Sequence, residues 1–176
     1  MHGTYTMNIP GVSASNEGVI ASKAPFVHVL HVEDNKDDQV LVHEAFKGAG
    51  VPTIWREADS AGEGISYLRA LVAMGRMSPV ALPDLVLLDA VMPRGGGFEV
   101  LRFIRNTPEL KGLMFVVFSG GFDPDHREEA QRLGATLFLV KPLHFGELVK
   151  IAKELSKWGS QVLTQTPPDC FQFKEF

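Results

Sequence analysis

The chain has 176 residues, 45% of them hydrophobic and 22% charged, the balance of a folded domain long enough to bury a core without disulfides or a structural metal. The formal net charge is -4, and no Lys/Arg cluster stands out, which argues against nucleic acid as a partner because phosphate binding needs a basic face. The only cysteine, Cys170, excludes an intrachain disulfide and fits a reducing, cytoplasmic setting, while no apolar stretch reaches the about 20 residues of a membrane helix.

Residues 1–25 have neither the basic start nor the apolar centre of a secretory signal. They are rich in Gly, Ser, Thr and Asn and read as a disordered leader. From Phe26 strand-like and helix-like segments alternate. Phe26 to Val32 (FVHVLHV) reads as a first strand, followed by Glu33, Asp34 and Asn35. Asp37 to Phe46 carries Val40, Leu41, Ala45 and Phe46 at helical spacing, with Gly48 and Gly50 as stops. Thr53 to Glu57 reads as a second strand. Ser60 and Glu63 have the spacing of a capping box, and Ile65, Leu68, Leu71 and Val72 give the helix after it an apolar face. Ser78 to Pro83 reads as a loop.

Leu85 to Leu88 (LVLL) is a third strand ending at Asp89. A Pro/Gly-rich connection, Met92 to Gly97, leads to a short helix over Phe98 to Arg105. Leu113 to Phe118 is a fourth strand ending at Ser119. Asp123 and Pro124 form an N-cap and first-turn pair for a fourth helix, which Gly134 can close. Thr136 to Val140 is a fifth strand ending at Lys141-Pro142. Phe145, Leu148, Val149, Ala152 and Leu155 give a fifth amphipathic helix to about Gly159, and a polar tail follows over residues 160–176. Several strands are continuous apolar runs, as expected where helices cover both faces of a parallel α/β sheet.

In such sheets ligands bind beyond the carboxyl ends of the strands. Those ends carry Glu33, Asp34, Asp89, Ser119 and Lys141: three carboxylates, a hydroxyl and an ammonium at one rim. Clustered carboxylates repel one another unless a cation sits among them, and oxygen ligands with room for water suit Mg²⁺. A carboxylate beside the metal can act as a nucleophile towards phosphorus and form an acyl phosphate. Lysine and hydroxyl can then bind the phosphoryl oxygens. Singly these residues have plain readings: a capping turn for Glu33-Asp34, a loop acid for Asp89, a turn for Ser119, a solvated charge for Lys141. Their gathering at one rim favours chemistry. VEDN in the first strand-to-helix turn has no G-x-G-x-x-G, which speaks against a dinucleotide site. Gly95-Gly96-Gly97 lacks the P-loop ending and reads as a flexible turn. No Cys/His cluster has zinc spacing, and His28, His31, His43, His126 and His144 are scattered.

The segments VEDN (Val32 to Asn35), LLDAVMP (Leu87 to Pro93), VVFSG (Val116 to Gly120) and LVKP (Leu139 to Pro142), each at a strand end, resemble the receiver domain of response regulators. The resemblance covers about Phe26 to Gly159. It implies a flavodoxin-like (βα)5 three-layer sandwich with a five-stranded parallel sheet in the order 2-1-3-4-5. It makes Asp89 the phosphoacceptor. Asp34, Asp89 and the Val91 backbone carbonyl would ligate Mg²⁺ (or Mn²⁺) directly, with Glu33 acting largely through water. Lys141 would pair with the phosphoryl group, Pro142 would follow a cis peptide bond, Ser119 would swing to a phosphoryl oxygen, and Phe138 would turn inward as an aromatic switch. An aromatic in a strand is also ordinary core.

Receivers commonly carry a hydrophobic residue and an Asp where Gly95 and Gly96 stand, so this loop is expected to be mobile. Val91 and Gly121 occupy positions that tune phosphate loss in the family. Neither can orient a water through its side chain, which implies a long-lived phosphorylated form. Asn35, Lys36 and Asp38 after VED, the long second helix and Trp158 resemble the small stand-alone regulators of bacterial phytochromes, which implies a sensor histidine kinase partner, a bacteriophytochrome among the candidates, and a homodimer. The aromatics Phe171, Phe173 and Phe176 read as a frayed end, with an interface arm as the alternative. Two other functions compete. A phosphorylation-independent scaffold should show a broken site position, and none is broken. A phosphatase should carry an acid where Val91 stands.

Overall fold

The structure, a computed structural model, describes residues 26–75, 82–93 and 96–161, and the backbone alone of residues 172–174. The expected leader over residues 1–25 and most of the loop over Ser78 to Pro83 lie outside the described residues.

β1 (Val27–Val32) is buried at every position. Asn35 then caps α1 (Lys36–Gly48), accepting from the N–H groups of Asp37 and Asp38. β2 (Thr53–Ala58) is half-exposed. Ser60 caps α2 (Ala61–Met74) by accepting from the Glu63 N–H. The returning arm of that expected capping box goes one residue further out, where Glu63 accepts from the Asp59 N–H at 2.9 Å. β3 (Leu85–Leu88), α3 (Gly96–Asn106), β4 (Met114–Ser119), α4 (Pro124–Arg132) behind its Asp123 cap, β5 (Leu137–Val140) and α5 (Phe145–Gln161) follow. A one-turn 3-10 helix over Pro108–Leu110, not foreseen, precedes β4.

The strands run parallel in the order β2-β1-β3-β4-β5, as expected, and alternate side chains feed two cores. On one face Leu30, Val86, Phe115 and Phe138 meet Leu68 of α2, Leu101 of α3 and Ala130 of α4. On the other, Val29, Leu87, Val116 and Leu139 meet Phe46 of α1 and Ile151 of α5. α5 runs through Gly159 instead of stopping there. A Cβ at Gly159 would stand 2.7 Å from Val27 Cγ1, so glycine lets the helix lie close on β1.

The expectation of a frayed tail is corrected in part. Gln172–Lys174 forms a sixth strand, β6, pairing Gln172 with Leu137 and Phe173 with Phe138. The physical reason is the open N–H and C=O row that β5 presents as an edge strand. The crossover to β6 is unlike the others. β1-α1-β2 steps one way across the sheet with its helix in the α1/α5 layer, and the units carrying α2, α3 and α4 step the other way in the opposite layer, so all four share one hand. β5-α5-β6 steps that second way with its helix in the α1 layer, and its hand is therefore opposite. Connections of one hand, the right, make up about 98% of parallel crossovers.

Candidate functional site

The strand ends converge as the sequence implies, and backbone bonds to neighbouring strands fix each one. Glu33 N–H donates to Ala58 O (3.0 Å), Asp89 N–H to Val32 O (3.0 Å) and Lys141 N–H to Ser119 O (2.7 Å). One carboxylate oxygen from each of Glu33, Asp34 and Asp89 lies within 4.8 Å of the others. Glu33 and Asp89 are buried, whereas Asp34 is exposed.

Lys141 completes the cluster. Its Nζ lies 2.5 Å from Glu33 Oε2, 2.6 Å from Asp38 Oδ2 and 4.0 Å from Asp89 Oδ1. Burial alone would lower its pKa, but the hydrogen bonds to Asp38 and Glu33 and the charge of Asp89 outweigh it and hold the ammonium above the ordinary lysine range. Burial pushes Glu33 above the carboxylate range despite Lys141 and the Asn35 N–H, with the Asp89 charge adding to the rise. Burial likewise raises Asp89, helped by Asp34 and Asp38 and opposed by Lys141 and by the Val91 N–H, which donates to its carboxylate. Carboxylates held more basic in the fold than in the unfolded chain give stability that is lost as pH rises through their folded values. The ionised forms of Glu33 and Asp89 therefore cost the fold stability even as the Lys141 ammonium gains it, and a cation bound beside the carboxylates would relieve that cost.

The Ser119 hydroxyl donates to Gly121 O at 2.8 Å and accepts from the Gly121 N–H at 3.4 Å. Phe138, expected to turn inward, stands fully buried among the helices of the α2/α3/α4 layer, a position that plain core packing also explains. One expectation is overturned: the described residues contain no cis peptide bond, so Lys141–Pro142 is trans. Trans is the lower form of an X–Pro amide by about 0.5–1 kcal/mol.

The glycine run is also corrected. Gly95 lies outside the described residues, but Gly96 and Gly97 open α3 packed against the acceptor segment instead of forming a loose turn. Gly96 has φ 61°, and a Cβ there would stand 2.8 Å from Ala90 O. A Cβ at Gly97 would collide with Asp89 O, the same oxygen to which the Gly97 N–H donates at 3.0 Å. Asp38, whose contact with Lys141 spans 103 residues of sequence, was not singled out as a site residue.

Around this rim stand exposed apolar side chains on separate connections: Val91 (61% exposed), Phe122 (49%) and Leu143 (97%), with Val40 (62%) on α1. Among the described residues no helix is long and apolar enough to cross a membrane.

Comparison with known proteins supplies a family and a fold. Residues 29–153 match the response regulator receiver domain family. The chain is 29% identical over 140 residues to the probable methanogenesis regulatory protein FilR2 of Methanothrix harundinacea, covering 80% of this chain and 87% of that one. It is 29% identical over 136 residues to the response regulator Rcp1 of Synechocystis, covering 77% and 90%. Among solved structures, the phosphorylated cyanobacterial phytochrome response regulator RcpA superposes with a TM-score of 0.66 at 30% identity over 81% of this chain and 99% of that one. The Mn²⁺-bound form of Rcp1 superposes with a TM-score of 0.59 at 27% identity, again over 81% and 99%.

Proposed function

The chain belongs to the response regulator receiver family, and from that premise we propose that it is a single-domain response regulator that takes a phosphoryl group on Asp89 from a sensor histidine kinase. The observation that carries the reading is the gathering of Glu33, Asp34 and Asp89 within 4.8 Å, with the Lys141 ammonium 4.0 Å from Asp89. An Asp89 carboxylate oxygen attacks the phosphorus of a phosphohistidine, forming the acyl phosphate P–O bond as the P–N bond breaks and imidazole leaves. The Lys141 ammonium and the Ser119 hydroxyl then bind the new phosphoryl oxygens.

The donor set is all oxygen, the chemistry that suits Mg²⁺ or Mn²⁺. Asp34 and Asp89, with the Val91 carbonyl, would hold the ion, and Glu33, already bonded to Lys141, would be left for outer contact. When bound, the ion supplies charge neutralisation for the carboxylates and the incoming phosphoryl group. The metal named for the Rcp1 structure supports this reading.

In the signalling step Ser119 exchanges its Gly121 partner for a phosphoryl oxygen, and the packing of Phe138, two residues before the strand partner of Ser119, responds. The exposed side chains of Val91 and Leu143, on the connections that leave β3 and β5, suit protein docking near the acceptor. A bacteriophytochrome is the kinase that the phytochrome relative RcpA favours. The site would act in the cytoplasm, where such kinases have ATP.

The reading includes a homodimer. The opposite hand of β5-α5-β6 favours β6 pairing with β5 of a second copy, since exchange removes the disfavoured crossover. Deleting residues 162–176 should convert dimer to monomer by sedimentation, and an unchanged mass would contradict exchange.

Incubation with acetyl phosphate and Mg²⁺, followed by intact mass, tests the function. One phosphoryl adduct, abolished in Asp89→Asn, is the expected result. No adduct would favour a phosphorylation-independent scaffold, and repeated turnover of many phosphoesters would favour a phosphatase.

A further inference from the structure

Asp38 has no part in the reading above, yet it holds the one lysine that the reading needs. Lys141 Nζ has three donors. Two are committed to Asp38 (2.6 Å) and Glu33 (2.5 Å), while Asp89 is 4.0 Å away. The Lys141 side chain is 15% exposed and that of Asp38 34%, so water screens this pair less than an open surface pair.

Asp38 is also held in place. It lies in the first turn of α1, where its N–H donates to Asn35 Oδ1 at 3.3 Å. Its neighbour Gln39, buried, donates to Glu33 O at 2.5 Å and to Asp59 Oδ1 at 2.9 Å. Lys36 bonds the same Asp59 oxygen at 2.5 Å. The turn is thereby tied to the ends of both β1 and β2, and this holds the Asp38 backbone opposite Lys141.

We propose that Asp38 is a positioning residue that competes with the phosphoryl group for Lys141, so that its carboxylate opposes capture of phosphate on Asp89. The proposal rests on Asp89 being the acceptor. A phosphoryl group on Asp89 brings two negative charges within reach of the ammonium, and any share of Lys141 retained by Asp38 weakens that grip. Asp38 sets the threshold of the switch without touching the phosphoryl group itself.

The test is a titration of the full chain with beryllium fluoride at saturating Mg²⁺, followed by fluorine NMR, for wild type, Asp38→Asn, Lys141→Met and the double variant, with melting curves alongside. Asp38→Asn should bind at least about fivefold tighter with little change in melting temperature. In the Lys141→Met background the same substitution should change affinity less than about twofold, because the competition runs through the lysine. If Lys141→Met chains fail to fold, Lys141→Gln carries the comparison. Equal or weaker binding by Asp38→Asn overturns the proposal. So does a gain that persists without Lys141, which would make Asp38 only a source of negative field. If wild type takes up no beryllium fluoride, the acceptor reading itself falls and the proposal with it.

Discussion

At the scale of residues, the site holds two buried carboxylates whose charge the fold tolerates without favouring. Burial raises both Glu33 and Asp89, and Lys141 offsets only part of the cost. Asp89→Asn should therefore stabilise the metal-free protein at neutral pH, by on the order of 1 kcal/mol or about 3 °C in melting temperature, and should lose most of the stabilisation that Mg²⁺ gives wild type. Unchanged melting in both conditions would contradict this. Val91 and Gly121 offer no side-chain group to orient a water, so the acyl phosphate should persist for minutes or longer in a mass-spectrometric time course. Decay within seconds would contradict that. Glu33, Asp34, Asp89, Ser119 and Lys141 were legible in the sequence because each closes or follows a recognisable strand. The Asp38–Lys141 bond was not, since it depends on where the first turn of α1 stands relative to the end of β5.

At the scale of elements, local chemistry was easiest to read where a side chain caps its own helix. Asn35, Ser60 and Asp123 each accept from N–H groups at a helix start. Glycines whose role is close approach were harder, because the neighbour they make room for is remote in sequence or carries no side-chain signal. Gly97→Ala should cost about 1–3 kcal/mol and reduce phosphoryl uptake, because the added methyl must displace Asp89 O. A variant of wild-type stability and uptake would show that the approach can relax. His31 on β1 is 1% exposed, and its Nδ1 has no hydrogen-bond partner among the described residues. Burial, with Lys141 and His43, pushes its pKa down to about 3. Between the ordinary histidine value and about 3 the unfolded chain binds the proton and the fold does not, so stability falls as pH falls through that window, by up to about 1.4 kcal/mol per unit. Denaturant titrations should show a shallower acid loss in His31→Leu than in wild type. Parallel pH profiles would contradict a neutral buried imidazole.

At the scale of the whole molecule, the five-strand parallel sheet, its order and its two helix layers follow from apolar runs alternating with amphipathic segments. The carboxyl rim followed from them in turn. β6 was not legible: Gln172 to Lys174 is too short and too polar to carry a strand pattern, and its pairing is dictated by the free edge of β5. The molecule is a sheet whose strand ends assemble an acceptor, with helices that hold the rim in register. Its proposed activity comes down to a covalent phosphoryl mark on one carboxylate. The most direct test is hydride trapping: protein incubated with a phosphoryl donor and Mg²⁺ is reduced with borohydride, which converts an acyl phosphate to an alcohol, and peptides are sequenced by mass spectrometry. Homoserine at position 89 alone, dependent on the divalent ion, is the expected product. Homoserine elsewhere, or an intact Asp89 whatever donor is supplied, would contradict it.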